Sequence, residues 1–148
     1  MTLPYAHIAC FVDGSPTSEA ALVHAQALAV AAGARLSLVH VAPRPLLVER
    51  RGGRTVARPE DLSVVERRRL EDRAARVPGA EAVHLEGLPV PAAVAWLEGS
   101  DVDLVVTGAA RTRTERILMG SFSGGLVLRA PCPVLIVRHR RPREEGTR

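Results

Sequence analysis

Three short stretches of this 148-residue chain carry side chains able to do chemistry. Asp13-Gly14-Ser15-Pro16 closes the apolar run from Ile8 to Val12. A carboxylate there can accept hydrogen bonds from a ribose or an adenine amino group. The same four residues also make a good turn, in which Asp13 only braces its own backbone. Thr107-Gly108 closes a second apolar run, and glycine lets backbone approach an anion closely. Gly120-Ser121-Phe122-Ser123 offers backbone N–H groups and two hydroxyls where a helix would begin. Helix N-termini favour phosphate through those groups and the helix dipole. A glycine C-cap followed by a serine N-cap is the plainer reading of that stretch. Arg111, Arg113 and Arg116 lie between the two glycine sites. They can clamp phosphates with two-pronged hydrogen bonds, or form a solvated basic loop.

Sharper chemistries fail on the residues. All 20 basic residues are Arg, and without lysine there is no P-loop. No G-x-G-x-x-G follows the first apolar run, which disfavours dinucleotide binding. Ser123-Gly124-Gly125 lacks the first-strand position and the following Asp of an ATP pyrophosphatase loop. Ser121-Phe122-Ser123-Gly124-Gly125 is one glycine short of a nucleophile elbow and lies too far past its strand for one. His7, His24, His40, His84 and His139 show no metal spacing, and His40 and His84 are expected to be satisfied structural histidines. Cys10 and Cys132 read as buried, inert thiols. No catalytic residue stands out, and any nucleotide hydrolysis is expected to be slow for want of a positioned base.

The elements that must position these residues alternate. Ile8–Val12 predicts a buried strand. Ser15 caps, and Pro16 opens, a helix carrying Ala21, Ala25, Leu28, Ala29 and Ala32, which stops at Gly33. Strands are predicted at Leu36–Val41, Ala82–Leu85, Asp103–Thr107 and Pro133–Val137. A charged helix is predicted over Glu60–Val77 with an apolar stripe of Leu62, Val65, Leu70 and Ala74. Further helices are predicted over Val90–Leu97 and Ser121–Arg129, with a partly helical stretch near Glu115–Met119. Trp96 is expected in the core. Residues 43–59, with five arginines and Gly52-Gly53, read as a long mobile loop, and 141–148 as a charged tail on a domain spanning 1–140. Strand–helix alternation predicts an α/β fold, a doubly wound five-stranded parallel sheet with helices on both faces. Ligands on such sheets bind beyond the carboxyl ends of strands where strand order reverses.

Composition agrees with one domain. The apolar fraction of 47% supports a real core, and 3% aromatics makes it an aliphatic one. The net charge of +4 tolerates anions, but 16 acidic residues offset the arginines, so nucleic acid is an unlikely partner on sequence grounds. Met1 to Ala6 has no basic or long apolar signal region, and no run suits a membrane span, so the cytoplasm is the expected compartment.

From Ala6 to Val137 the chain resembles the universal stress protein family. The resemblance is carried by Asp13-Gly14-Ser15, Leu38-Val39-His40-Val41, Gly87-Leu88-Pro89 and the run from Asp101 to Gly108. Gly120-Ser121-Phe122-Ser123 and Ala130-Pro131-Cys132-Pro133-Val134-Leu135-Ile136-Val137 carry it most specifically. It implies a Rossmann-like stress-response or signalling module that binds ATP or AMP, with magnesium where a triphosphate is held. By position, Asp13 and Val41 would flank adenine and ribose. Gly108, Gly120, Ser121 and Ser123 would hold phosphates, while Val12, Thr107 and Phe122 would line the site. The chain departs from the family's G-x-x-G, nine residues, G-[ST] pattern. Arg111 stands at the second glycine and Gly120 comes one residue early. Arg111 would then either clamp phosphate or fill the loop. The second outcome loses triphosphate binding and leaves either AMP alone or, with nothing bound, a dimeric scaffold with a decayed nucleotide site. An adenine-nucleotide-dependent enzyme of the same superfamily ranks third. The resemblance also implies a homodimer through the last strand, Pro133, Val134, Leu135, Ile136 and Val137, and an unknown protein partner.

Overall fold

The computed structural model describes residues 2–42, 59–109 and 122–139, and side chains in the second helix from Ser63 onward. The chain runs β1 (His7–Phe11), α1 (Pro16–Ala32), β2 (Arg35–Ala42), α2 (Pro59–Ala75), β3 (Ala80–Glu86), α3 (Pro89–Glu98), β4 (Leu104–Gly108), α4 (Phe122–Arg129) and β5 (Val134–Val137). All pairings are parallel, in the order β3-β2-β1-β4-β5. Parallel strands buried on both faces are largely apolar, as β1 is from Ile8 to Phe11.

Alternation along the strands splits the core in two. Ile8, Cys10, Leu36, Leu38, Leu104 and Val106 face α1 and α2, and Ala21, Leu22, Ala25, Leu70 and Ala74 close that layer. Ala9, Phe11, Val39 and Val105 face α3 and α4, with Ala93, Val94, Leu97 and Leu126. The predicted doubly wound sheet is therefore present.

The start of α1 follows its residues. Ser15 Oγ accepts a hydrogen bond from the Ser18 N–H at 3.2 Å, Pro16 opens the helix, and Gly33 closes it in the left-handed region. The stripe read on α2 needs correcting. Leu70 and Ala74 are buried as expected, but Val65 is 47% exposed, and Val77 just past the helix is buried instead. The contact face is thus the i, i+4, i+7 set 70, 74 and 77. The mobile loop read at 43–59 and the partly helical stretch at 115–119 lie outside the described residues, apart from Pro59, which opens α2. So does the tail at 141–148.

Candidate functional site

From β1 the chain adds β2 and β3 on one side of the sheet and β4 and β5 on the other, so strand order reverses between β1 and β4. The register Cys10↔Val106 sets Val12-Asp13 beside Thr107-Gly108 at the same end. Open α/β sheets take ligands in that crevice. Val41, next to last in β2, lies at the same end, half-buried against the α3/α4 layer. Thr107 and Val12 are buried, and Asp13 is exposed.

Asp13 is held on several sides. Its Oδ1 accepts from the Ser15 N–H at 2.8 Å, and its own N–H donates to Ser18 Oγ at 3.0 Å. The turn-bracing role is therefore real, and it orients a carboxylate that still reaches solvent. Gly108 is glycine for a different reason from the one read in the sequence. A Cβ there would lie 2.7 Å from the Thr17 carbonyl carbon and 2.8 Å from Thr17 Oγ1. The first turn of α1 occupies that space, so close helix–strand packing explains this glycine.

Phe122 and Ser123 begin α4. The Phe122 ring meets Phe11 edge-on with centroids 5.2 Å apart, which ties the start of α4 to the tip of β1. Ser123 is buried in the first turn. Arg111, Gly120 and Ser121 lie outside the described residues, as do Arg113 and Arg116. Among the described residues no group of His, Cys, Asp or Glu is arranged to hold a metal ion. No helix of the described residues is long and apolar enough to cross a membrane.

The last strand lies at the sheet edge beside β4, with Leu135 and Ile136 37% and 38% exposed. Pro133 precedes the strand proper, and its carbonyl accepts from the Val105 N–H at 2.9 Å. Val134 is partly buried in the α3/α4 layer, and Val137 is buried in the α1/α2 layer.

Two groups of polar residues carry contacts that the sequence reading did not find. At the opposite end of the sheet, His7 lies between Asp101 (Nδ1 to Oδ1, 2.6 Å) and Ser37 (Nε2 to Oγ, 2.7 Å), and Ser37 Oγ donates to Glu81 Oε1 at 2.7 Å. Arg35 pairs with Asp101, and Asp103 accepts from the backbone N–H groups of Ala6 and His7. The Asp101 carboxyl is held below its ordinary range, first by the His7 hydrogen bond. The repeated Asp-x-Asp before β4 was the signal that could have flagged this cluster. The second group is the cross-strand pair His40↔His84. His40 Nδ1 donates to the Val12 carbonyl at 2.8 Å. His84 corrects the expectation of a satisfied structural histidine, because among the described residues both its ring nitrogens are buried without a hydrogen-bond partner. Burial, followed by Arg67 and His40, lowers its pKa.

Cys10 is a fully buried free thiol that burial pushes up to about 12, as expected of an inert cysteine. Cys132 is only half-buried, which corrects the reading of two buried thiols. Its chain position between Pro131 and Pro133 places it where the chain enters the edge strand.

Comparison with known proteins follows from this geometry. The family model described as "Universal stress protein family" matches residues 4–138. A universal stress protein of Thermus aquaticus, encoded beside a QAH/OAS sulfhydrylase gene, is 37% identical over 85% of this chain and 93% of its own. A universal stress protein crystallised in complex with cAMP shares 26% identity and a TM-score of 0.68, over 91% of this chain and 98% of that one. The universal stress protein of Archaeoglobus fulgidus in complex with dAMP shares 25% identity and a TM-score of 0.61, over 91% and 99%.

Proposed function

Because this chain belongs to the universal stress protein family, we propose that it is a cytoplasmic, homodimeric module that binds ATP or AMP and passes the bound state to a protein partner. The observation that carries this is that Asp13 follows the tip of β1 beside the end of β4, while Phe122 in the first turn of α4 packs on Phe11 of the same strand. A carboxylate suits sugar hydroxyls. A serine at a helix start suits phosphate. These are the two ends of a nucleotide. The likeness to structures holding cAMP and dAMP supports an adenine nucleotide.

On this reading Asp13 and Val41 flank adenine and ribose. Gly108, Gly120, Ser121 and Ser123 receive phosphate through backbone and hydroxyl groups, while Val12, Thr107 and Phe122 line the crevice. Arg111 supplies a guanidinium where relatives of the ATP-binding pattern have glycine, and magnesium accompanies a triphosphate. Bound nucleotide is held rather than turned over. The exposed edge of β5 pairs with a second copy through Leu135 and Ile136.

Calorimetry with AMP, ATP and ATP–magnesium tests the site. Binding is expected, and Asp13→Ala weakens it roughly tenfold, about 1.4 kcal/mol. Absence of binding by folded protein at millimolar nucleotide overturns the reading in favour of the scaffold, which Arg111 and the early Gly120 motivate. Sedimentation of the wild type and of Ile136→Arg tests the dimer. A wild-type monomer at all concentrations removes it.

A further inference from the structure

The geometry points to His40 as a positioning residue for the Asp13 carboxylate, an inference that rests on the reading of Asp13 as a nucleotide ligand. A carbonyl oxygen only accepts, so the 2.8 Å contact between His40 Nδ1 and Val12 O requires the hydrogen on Nδ1. That carbonyl belongs to the peptide joining Val12 to Asp13. The same planar unit donates its N–H to Ser18 Oγ at 3.0 Å. It is therefore clamped at both ends, by β2 through His40 and by α1 through Ser18. Val12 is also tied to β2 by its N–H, which donates to the Val39 carbonyl at 2.9 Å. With the peptide plane fixed and Oδ1 receiving the Ser15 N–H, the direction of the Asp13 side chain is largely determined.

His40 is itself held from behind. Its Nε2 lies 3.9 Å from Glu66 Oε2 on α2, and its ring centroid lies 6.1 Å from that of His84 on β3. α2 and β3, which carry none of the proposed nucleotide ligands, thus bear on the angle of a carboxylate at the mouth of the crevice. Sites need their ligating groups held to about 0.5 Å, and groups behind them supply that precision.

The test is nucleotide affinity measured by calorimetry on wild type, His40→Leu, His40→Gln and His40→Asn, alongside thermal unfolding without nucleotide. Asn places an N–H close to where Nδ1–H stood, while Gln carries its donor about one bond too far and Leu has none. Asn is expected to bind within about threefold of wild type. Leu and Gln are expected to bind roughly tenfold more weakly. Amide hydrogen exchange at Asp13 should speed up in Leu and Gln and not in Asn. Equal affinity in all four proteins overturns the inference and leaves the nucleotide reading intact. So does weakening in all three variants that follows their loss of stability, since that marks a structural role only. If folded wild type binds no adenine nucleotide, the reading of the site fails and this inference falls with it. If Leu does not fold, the contrast between Gln and Asn decides.

Discussion

Ser37 Oγ lies 2.7 Å from His7 Nε2, and the other ring nitrogen of His7 lies 2.6 Å from Asp101, so serine, histidine and aspartate stand in the order of a hydrolytic triad. The order is not the function. Ser37 is 0% exposed, and its hydroxyl also contacts Glu81. A nucleophile needs an open side for a carbonyl carbon, and here that side is closed by protein. The cluster instead ties together the amino-terminal ends of β1, β2 and β3 and the turn into β4. We expect Ser37→Ala to cost about 1–3 kcal/mol in urea unfolding, because it leaves a buried His7 nitrogen unpartnered. Nucleotide affinity should stay at the wild-type value. Labelling of native Ser37 by a fluorophosphonate would show the serine to be open and reactive, and would defeat this account.

Gly125 on α4 packs against α3. A Cβ there would lie 2.7 Å from Val90 Cγ2 and 3.0 Å from Val90 Cγ1. Gly125→Ala should destabilise the protein by about 1–3 kcal/mol through overpacking. The clash is with a side chain, so Val90→Ala should relieve it, and a double-mutant cycle should show favourable coupling. Additive effects would mean that the two helices do not meet as described.

His84 sets a pH dependence. Its folded-state pKa lies below the ordinary value of 6.5, chiefly through burial, with Arg67 and His40 adding to the shift and outweighing Glu86 and Glu66. Between the folded and unfolded values the unfolded chain binds more protons, so stability rises with pH there. The penalty is absent above the unfolded value and grows as pH falls through it. His84→Leu removes both the proton site and the two orphaned nitrogens. Its Tm should exceed wild type at pH 7.5 by ~2–4 °C, for about 1 kcal/mol. The gap should widen by pH 5.5. Parallel curves for the two proteins across that range would remove His84 as the cause.

Much of the fold was legible because it is local. Ser15, Pro16 and Gly33 mark the ends of α1 by capping chemistry that involves only near neighbours, and the apolar runs at 8–12 and 104–107 could only be buried strands. Asp13 was legible as a turn residue, which its contacts with Ser15 and Ser18 bear out, and the same turn aims the carboxylate that we propose as a ligand. Val65 was misplaced because a thin stripe on a charged helix leaves its rotation about the axis to the packing partner. Gly108 was read as letting backbone approach an anion; what the sequence did not show is that the space a side chain would need is taken by Thr17, a residue 91 positions away in the chain.

The chain alone determined which segments are strands and helices, that the sheet is parallel and doubly wound, and which strand ends carry polar residues. Backbone capping, apolar periodicity and crossover chirality act over short stretches, so they are written in order along the sequence. Only the tertiary structure decided that His40 reaches the Val12 carbonyl, that His7 joins Asp101 to Ser37, and that the His84 ring nitrogens find no hydrogen-bond partner among the described residues. Those relationships depend on which strands lie side by side and in what register. No single segment specifies that, because it emerges when all the layers are packed at once.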